Sequence, residues 1–413
     1  MSLICRQVKF AKLFFVIPFA MLVILTCSTQ AQTFTILHTF TGGADGAAPF
    51  GSLTLDRAGN LYGTASAGGF KGNDCGSAGC GTVFKMTHTG SGWILTALYS
   101  FQGDPDAAVP YAGVTIGPNG SLYGTTLLGG GHGYGAVFNL RPPAHFSANV
   151  NGGWSDTVLH GFAGNDGVWP VYGNVIFDPA GNLYGTTSDG GYECSDGGYC
   201  GTVFKLTPSA GGWALSSFFF MGGSGGGNPY SGVVRDASGN LYGTTNDYNA
   251  NSVVYRLTPS GSGWTETTLY NFAWPEDPQG GVILDPVGNL FGTTLDSAYE
   301  LMPSGGQWTY SLLQSFPGNN EPFGGLVRDA NGNLYGTTCG DNVVTFGSVF
   351  KLTPTQGGWT ETDLYDFTGG GNGSCPAGGV ALDATGNLYG TTLWGGGPGC
   401  EVPGCGLVWE LTP

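Results

Sequence analysis

Basic side chains are scarce in this chain: 12 Lys and Arg stand against 28 Asp and Glu in 413 residues, for a net charge of -16 with His neutral. A surface of that sign repels phosphate backbones and anionic lipid, so nucleic acid is excluded as a partner. Charged residues make up only 10% of the chain while Gly is 78 of 413. That balance excludes long exposed helices and suits many short strands joined by tight turns. No long apolar run occurs after residue 25, so the mature chain has no candidate membrane-spanning helix. Enzyme signatures are missing as well. His38, His88, His132, His145 and His160 fall at unrelated repeat positions without metal-ligand spacing, and no nucleophile elbow or phosphate loop opens a helix. No catalytic residue, no metal ligand and no cofactor is therefore assigned.

What is present begins with a leader. Arg6, Lys9 and Lys12 precede the apolar run Leu13 to Leu25, and Thr29-Gln30-Ala31 supplies the small residues a signal peptidase requires. Residues 1–31 are read as a signal peptide cleaved after Ala31; the alternatives are a retained anchor or a lipid on Cys27. Cleavage removes three cations and no acid, moving the net charge from -16 to -19. The protein is expected to be exported: secreted, periplasmic or at the cell surface.

The rest of the chain repeats itself. Leu61-Tyr62-Gly63-Thr64 returns at Leu122, Leu183, Leu241, Leu290 (with Phe291 for Tyr), Leu334 and Leu388, at intervals of about 44 to 61 residues. Around each copy lies a unit that reads as four strands, as in residues 232–272. A short β-branched run ends at Asp236, and Asp236-Ala237-Ser238-Gly239-Asn240 makes a tight turn. Leu241 to Thr245 pairs back, and Ser252 to Leu257 forms a third strand expected to end at Thr258-Pro259 because Pro cannot donate to a ladder. The alternating stretch Trp264 to Phe272 forms a fourth. A four-stranded sheet repeated seven times covers its faces by stacking around an axis. Thr33 to Phe40 matches a fourth strand, and the chain ends on a third strand at Leu407 to Leu411. The expected fold is thus all-β: one domain, residues 32–413, forming a seven-bladed β-propeller of four-stranded antiparallel blades. Residues 33–40 should complete the last blade and remove the open edges; a solenoid would leave both half-blades unpaired.

The unit from Asp178 to Trp213, with Asp-x-x-Gly-Asn-Leu-Tyr-Gly-Thr-Thr, then Gly-x-Val-Phe-Lys-Leu-Thr-Pro, then Gly-Gly-Trp, resembles the GloVer tandem repeat of bacterial exported proteins. The resemblance covers essentially the whole mature chain. It implies an exported repeat protein, often with a carboxy-terminal sorting signal that is not seen at Leu411-Thr412-Pro413, and it implies no catalytic residues. Blade 2 departs from the pattern with Gly117 in place of Asp, and blade 5 with Phe291 and no Gly-rich loop.

Eight Cys remain after the leader, as the couples Cys75/Cys80, Cys194/Cys200, Cys339/Cys375 and Cys400/Cys405. Close couples recurring in one loop of an exported protein favour disulfides over zinc, which would need two couples or nearby His. Loops of a meander alternate between two faces. The Asp turns share one face, and the variable loops before the first strands share the other with the Cys loops; any site is expected on the variable face. Pro precedes each first strand there and sets Phe50, Tyr111, Tyr172, Tyr230 and Phe323 near the channel mouth, where rings could stack on a sugar or a planar ligand; the alternative is packing between blades. Acids share these loops: Asp45, Asp104, Asp106, Asp166, Glu276, Asp277 and Glu321. They are candidates for Ca²⁺ or a cationic ligand, the alternative being a solvated rim. The functional expectation is a non-enzymatic exported propeller whose partner is an extracellular glycan, small molecule or protein, with Asp166 and Glu321 as further candidate ligand contacts. The alternatives are a hydrolase or lyase acting on an extracellular polymer through those two carboxylates, and a purely structural surface repeat.

Overall fold

The structure is a computed structural model that describes residues 32–72, 74–143, 153–191, 200–220, 226–246, 252–261, 263–273, 276–316, 318, 320–397 and 404–412. All of these lie in the compact unit Gln32–Pro413. The leader, with Cys27, lies outside the described residues, as do Cys194 and Cys400.

Seven four-stranded antiparallel sheets account for the fold, together with one two-stranded ribbon. Blade 4 shows the plan: Val234–Arg235, Leu241–Thr244, Val253–Ser260 and Gly263–Asn271 pair in sequence order. The first strand, at the edge of the sheet, is two residues long. One expectation for this unit is corrected. The third strand runs through Pro259 to Ser260, with Pro259 opposite Trp264. It overhangs the second strand there, whose register ends at Leu241 opposite Leu257, and at such an edge position proline is tolerated.

Alternation along the second strand builds the core. Leu61 packs towards blade 7 and Tyr62 towards blade 2, because successive side chains leave opposite faces of a strand. Repeating this gives one apolar cluster at each of the seven blade interfaces, from Tyr62 with Phe138 between blades 1 and 2 to Tyr389 with Phe84 between blades 7 and 1. The Gly of Leu-Tyr-Gly is required by the third strand. A Cβ on Gly63 would lie 2.5 Å from the Phe84 ring, and one on Gly390 2.3 Å from Trp409. The Thr that follows ties blades together, as Thr64 Oγ1 donates to the Ala112 carbonyl at 2.7 Å and Thr186 Oγ1 to that of Ser231 at 2.7 Å.

The ring closes through the amino-terminal strand. Thr33–Thr39 pairs antiparallel with Leu407–Thr412, from Thr33 opposite Thr412 to Thr39 opposite Leu407. Phe34 in that strand stacks on Tyr365 of blade 6, ring centroids 3.8 Å apart. Blade 7 is therefore shared between the two ends of the described chain.

The Asp turns hold the opposite rim. Asp178 Oδ1 accepts from the backbone N–H of Ala180 and Asn182, and its Oδ2 accepts from Asn182 Nδ2 and the Tyr184 hydroxyl. Burial alone would raise this carboxyl, but the hydrogen bonds outweigh it and hold it below the usual carboxylate range. The same pattern occurs at Asp56, Asp236, Asp329 and Asp383.

Candidate functional site

The segment before each first strand decides what faces the axis. Ala48, Val109, Trp169, Asn228 and Cys375 all have φ between 51° and 59°, and each immediately precedes a Pro. This left-handed residue reverses the chain, and the Pro then seats on the preceding blade. A Cβ on Gly81, Gly135, Gly201, Gly347 or Gly406 would lie 2.6 to 2.7 Å from Cδ of Pro110, Pro170, Pro229, Pro376 or Pro49. The Gly of Gly-x-Val-Phe is thus the socket for the next blade's Pro. Pairing of Ala47 with Ala67, Val168 with Asp189 and Glu321 with Cys339 joins these segments to the loops between second and third strands, on one face.

Past the Pro, the chain delivers one side chain per blade towards the axis. Phe50, Tyr111, Tyr172, Tyr230, Gln279, Phe323 and Ala377, from seven consecutive blades, line a single cavity of about 360 Å³. The rings of blades 1 to 4 pack on one another rather than between blades. Phe50 lies 5.5 Å from Tyr111 and 5.2 Å from Tyr172 by ring centroids, and Tyr172 stacks on Tyr230 at 4.8 Å. Phe323 packs with Phe50 against the Cys339–Cys375 disulfide and Ala377. The rest of the lining is largely glycine: Gly51, Gly280-Gly281, Gly324-Gly325 and Gly378-Gly379. These Gly let neighbouring blades meet at the axis: a Cβ on Gly324 would lie 2.8 Å from the Gly379 backbone.

Besides the tyrosine rings with their hydroxyls, the polar side chains of the lining are Ser52, Ser231, Gln279 and Glu321. Glu321 is the only charged residue among them, and burial pushes its carboxyl above the usual range. The remaining acids of this face lie elsewhere. Asp166 accepts from the Ala163 N–H at 2.8 Å and pairs with His160 at 2.9 Å, and it does not line the cavity. Asp45 pairs with His38 in the equivalent place, Asp106 accepts from the Tyr99 hydroxyl, Asp104 from the Gly131 N–H, and Asp277 from the Ser252 hydroxyl. These carboxylates tie loops to the fourth or third strands or, for Asp104, to a neighbouring loop. Among the described residues no three His, Cys, Asp or Glu gather as a metal site.

Two disulfides frame the face, Cys75–Cys80 and Cys339–Cys375. Cys200 and Cys405 are disulfide-bonded as well, and the positions expected to partner them, Cys194 and Cys400, lie outside the described residues. Disulfides of this kind fit an exported protein. A second depression lies off the axis, lined by Tyr134, Val168, Trp169 and Asp189, with the Trp169 side chain 42% exposed.

Most aromatic positions were readable from Pro followed by an aromatic. Ser52, Ser231 and Gln279 were not; for Gln279 a signal existed, since it stands between Pro278 and Gly280-Gly281 as Phe323 stands between Pro322 and Gly324-Gly325.

Comparison with solved structures agrees with this architecture. Two crystal structures of the extracellular domain of BT4673 from B. thetaiotaomicron, assigned to a one component system in one and to a hybrid two component system in the other, superpose with TM-scores of 0.58 and 0.60 at 13% and 12% identity. They cover 92% and 91% of this chain, which spans only 40% and 39% of theirs. At that identity the likeness is one of fold. No curated protein matches the sequence. The Gloeobacter/Verrucomicrobia repeat matches residues 23–151 and 73–298, well over half of the chain, and by that match the protein belongs to this repeat family.

Proposed function

We propose that the protein is an exported binding propeller that takes up a small organic ligand, or a short stretch of a glycan, in its axial cavity on the variable-loop face. The observation that carries this reading is the convergence of Phe50, Tyr111, Tyr172, Tyr230 and Phe323 on one open cavity. Its volume is at the lower end of the range of small-molecule sites, and its lining, five aromatic rings and a few polar groups set among glycines, is of the kind that orients a bound molecule. The acid pair considered for hydrolysis loses one member to the His160 loop, leaving Glu321 as the one carboxylate among the described residues of the lining. A lone carboxylate favours binding over acid–base hydrolysis, which uses two. Export through residues 1–31 belongs to the same proposal, and N-terminal sequencing of secreted protein should begin at Gln32.

Titration calorimetry with a panel of saccharides and small organic molecules tests the site. Tyr172→Ala and Tyr230→Ala should weaken whichever ligand binds by tenfold or more, while Trp169→Ala should leave it unchanged. Binding that survives both tyrosine substitutions and is lost with Trp169→Ala would move the site to the off-axis depression.

A further inference from the structure

The chemical class of the ligand can be narrowed, on the premise that the axial cavity is the binding site. The cavity combines aromatic rings from several blades with one carboxylate, and among the described residues no Lys, Arg or His lines it. The lysines that do meet aromatic rings are engaged elsewhere, Lys85 over Tyr62, Lys205 over Tyr184 and Lys351 over Tyr335 at 5.4 to 5.7 Å. Glu321 has its backbone paired with Cys339, but among the described residues no donor engages its carboxylate. A partly desolvated carboxylate without a donor is costly to keep ionised, and it is relieved by a cation brought close to it. Ring faces carry negative charge density and attract cations, most effectively weakly hydrated ones that lose little on leaving water.

A metal ion is a poor occupant. It would need several oxygen ligands, and one carboxylate with two serines and an amide spread around a 360 Å³ cavity does not provide them compactly. A sugar would use the rings and donate hydroxyls to the carboxylate, but would leave its negative charge uncompensated. An ammonium group bearing alkyl substituents uses both, with its charge towards Glu321 and its methyl or methylene groups against Phe50, Tyr111, Tyr172 and Tyr230. We propose that the axial cavity is an aromatic cage for a quaternary or alkylated ammonium ligand, with Glu321 as its counter-charge. The acidic net charge of -16 acts in the same direction by concentrating cations near the protein.

The test compares charge at constant shape in the secreted chain. Tetramethylammonium and choline are titrated calorimetrically beside 3,3-dimethylbutan-1-ol, the uncharged carbon analogue of choline. The cations should bind at least tenfold more tightly than the alcohol. Glu321→Gln should cut that preference at least threefold while leaving the alcohol's weak binding intact, and Tyr172→Ala should weaken all three. Equal affinity for choline and the alcohol, or a cation preference unchanged in Glu321→Gln, overturns the cationic assignment. So does Tyr172-dependent binding of a saccharide with no binding of either cation; in each of these cases the cavity stands as the site. If no probe or saccharide binds in a way that Tyr172→Ala or Tyr230→Ala alters, the reading of the cavity itself fails.

Discussion

Residue by residue, the repeat encodes crossings of rings over glycine. In four blades the third-strand ring is Phe, but blades 4, 5 and 7 place Tyr255, Tyr299 and Trp409 there, fully buried. Their hydroxyl and indole N–H atoms have no hydrogen-bond partner among the described residues. Tyr255→Phe should therefore be neutral or stabilising by about 1 kcal/mol, since it removes a buried polar atom without leaving another unpaired. Gly243→Ala, whose Cβ would lie 2.4 Å from that hydroxyl, should cost about 1–3 kcal/mol. Urea unfolding of both variants checks the pair. Asp156 is a second residue-scale device. Burial, then hydrogen bonding to Asp106 and that residue's negative charge, push its carboxyl up to about 8. An acid raised on folding is stabilising while protonated. Its contribution is complete below the ordinary carboxylate range and declines as pH rises towards 8. Asp156→Asn should flatten this decline and raise stability at pH 8 by on the order of 1 kcal/mol or more, read as a melting series against pH.

At the scale of the strand and turn, regular repeats and exceptions have different physical causes. The Asp turn supplies four hydrogen bonds from one carboxylate in blade 3. In blade 2 the ring of Tyr123 occupies that space instead, so that a Cβ on Gly117 would lie 2.4 Å from it. Gly117→Asp, which would restore the repeat's own pattern, should accordingly destabilise by about 1–3 kcal/mol, as measured by chemical denaturation. A sequence reading would predict the reverse. The disulfides differ by the length of chain they close. Cys75–Cys80 spans 5 residues and Cys339–Cys375 spans 36 across two blades. Replacing the first pair by Ala should cost about 2 kcal/mol and the second about 4 kcal/mol. The second replacement should also loosen Phe323, which packs on that bridge, and so weaken ligand binding, whereas the first should not.

For the molecule as a whole, closure is the decisive contact. Blade 7 takes its fourth strand from residues 33–39, and Phe34 carries that strand's packing onto blade 6. A chain beginning at residue 41 should expose the edge of Leu407–Thr412, lose cooperative unfolding and aggregate, observable by size-exclusion chromatography and calorimetry. Conversely, Thr33 and Thr412 are register partners. A circular permutant that joins them by a two-residue Gly-rich turn, as third and fourth strands are joined elsewhere, and opens within residues 144–152, should fold to the same melting temperature within a few degrees.

Architecture was legible in the sequence because it rests on short-range patterns: Leu-Tyr-Gly alternation, Asp turns, and two terminal strands that lack partners within their own repeats. Strand limits were less so, as Pro259 shows, since an overhanging edge tolerates what a paired interior does not. The site divided along the same line. Phe50, Tyr111, Tyr172, Tyr230 and Phe323 share a local rule, a left-handed residue or its equivalent and then Pro, so their common direction could be anticipated. That they line one cavity, that Glu321 joins them while Asp166 is held by His160, and that Gly-Gly pairs complete the lining could not. Those outcomes depend on which blades face each other across the axis, a distance the chain crosses only after seven repeats have closed, and no local pattern of residues records it.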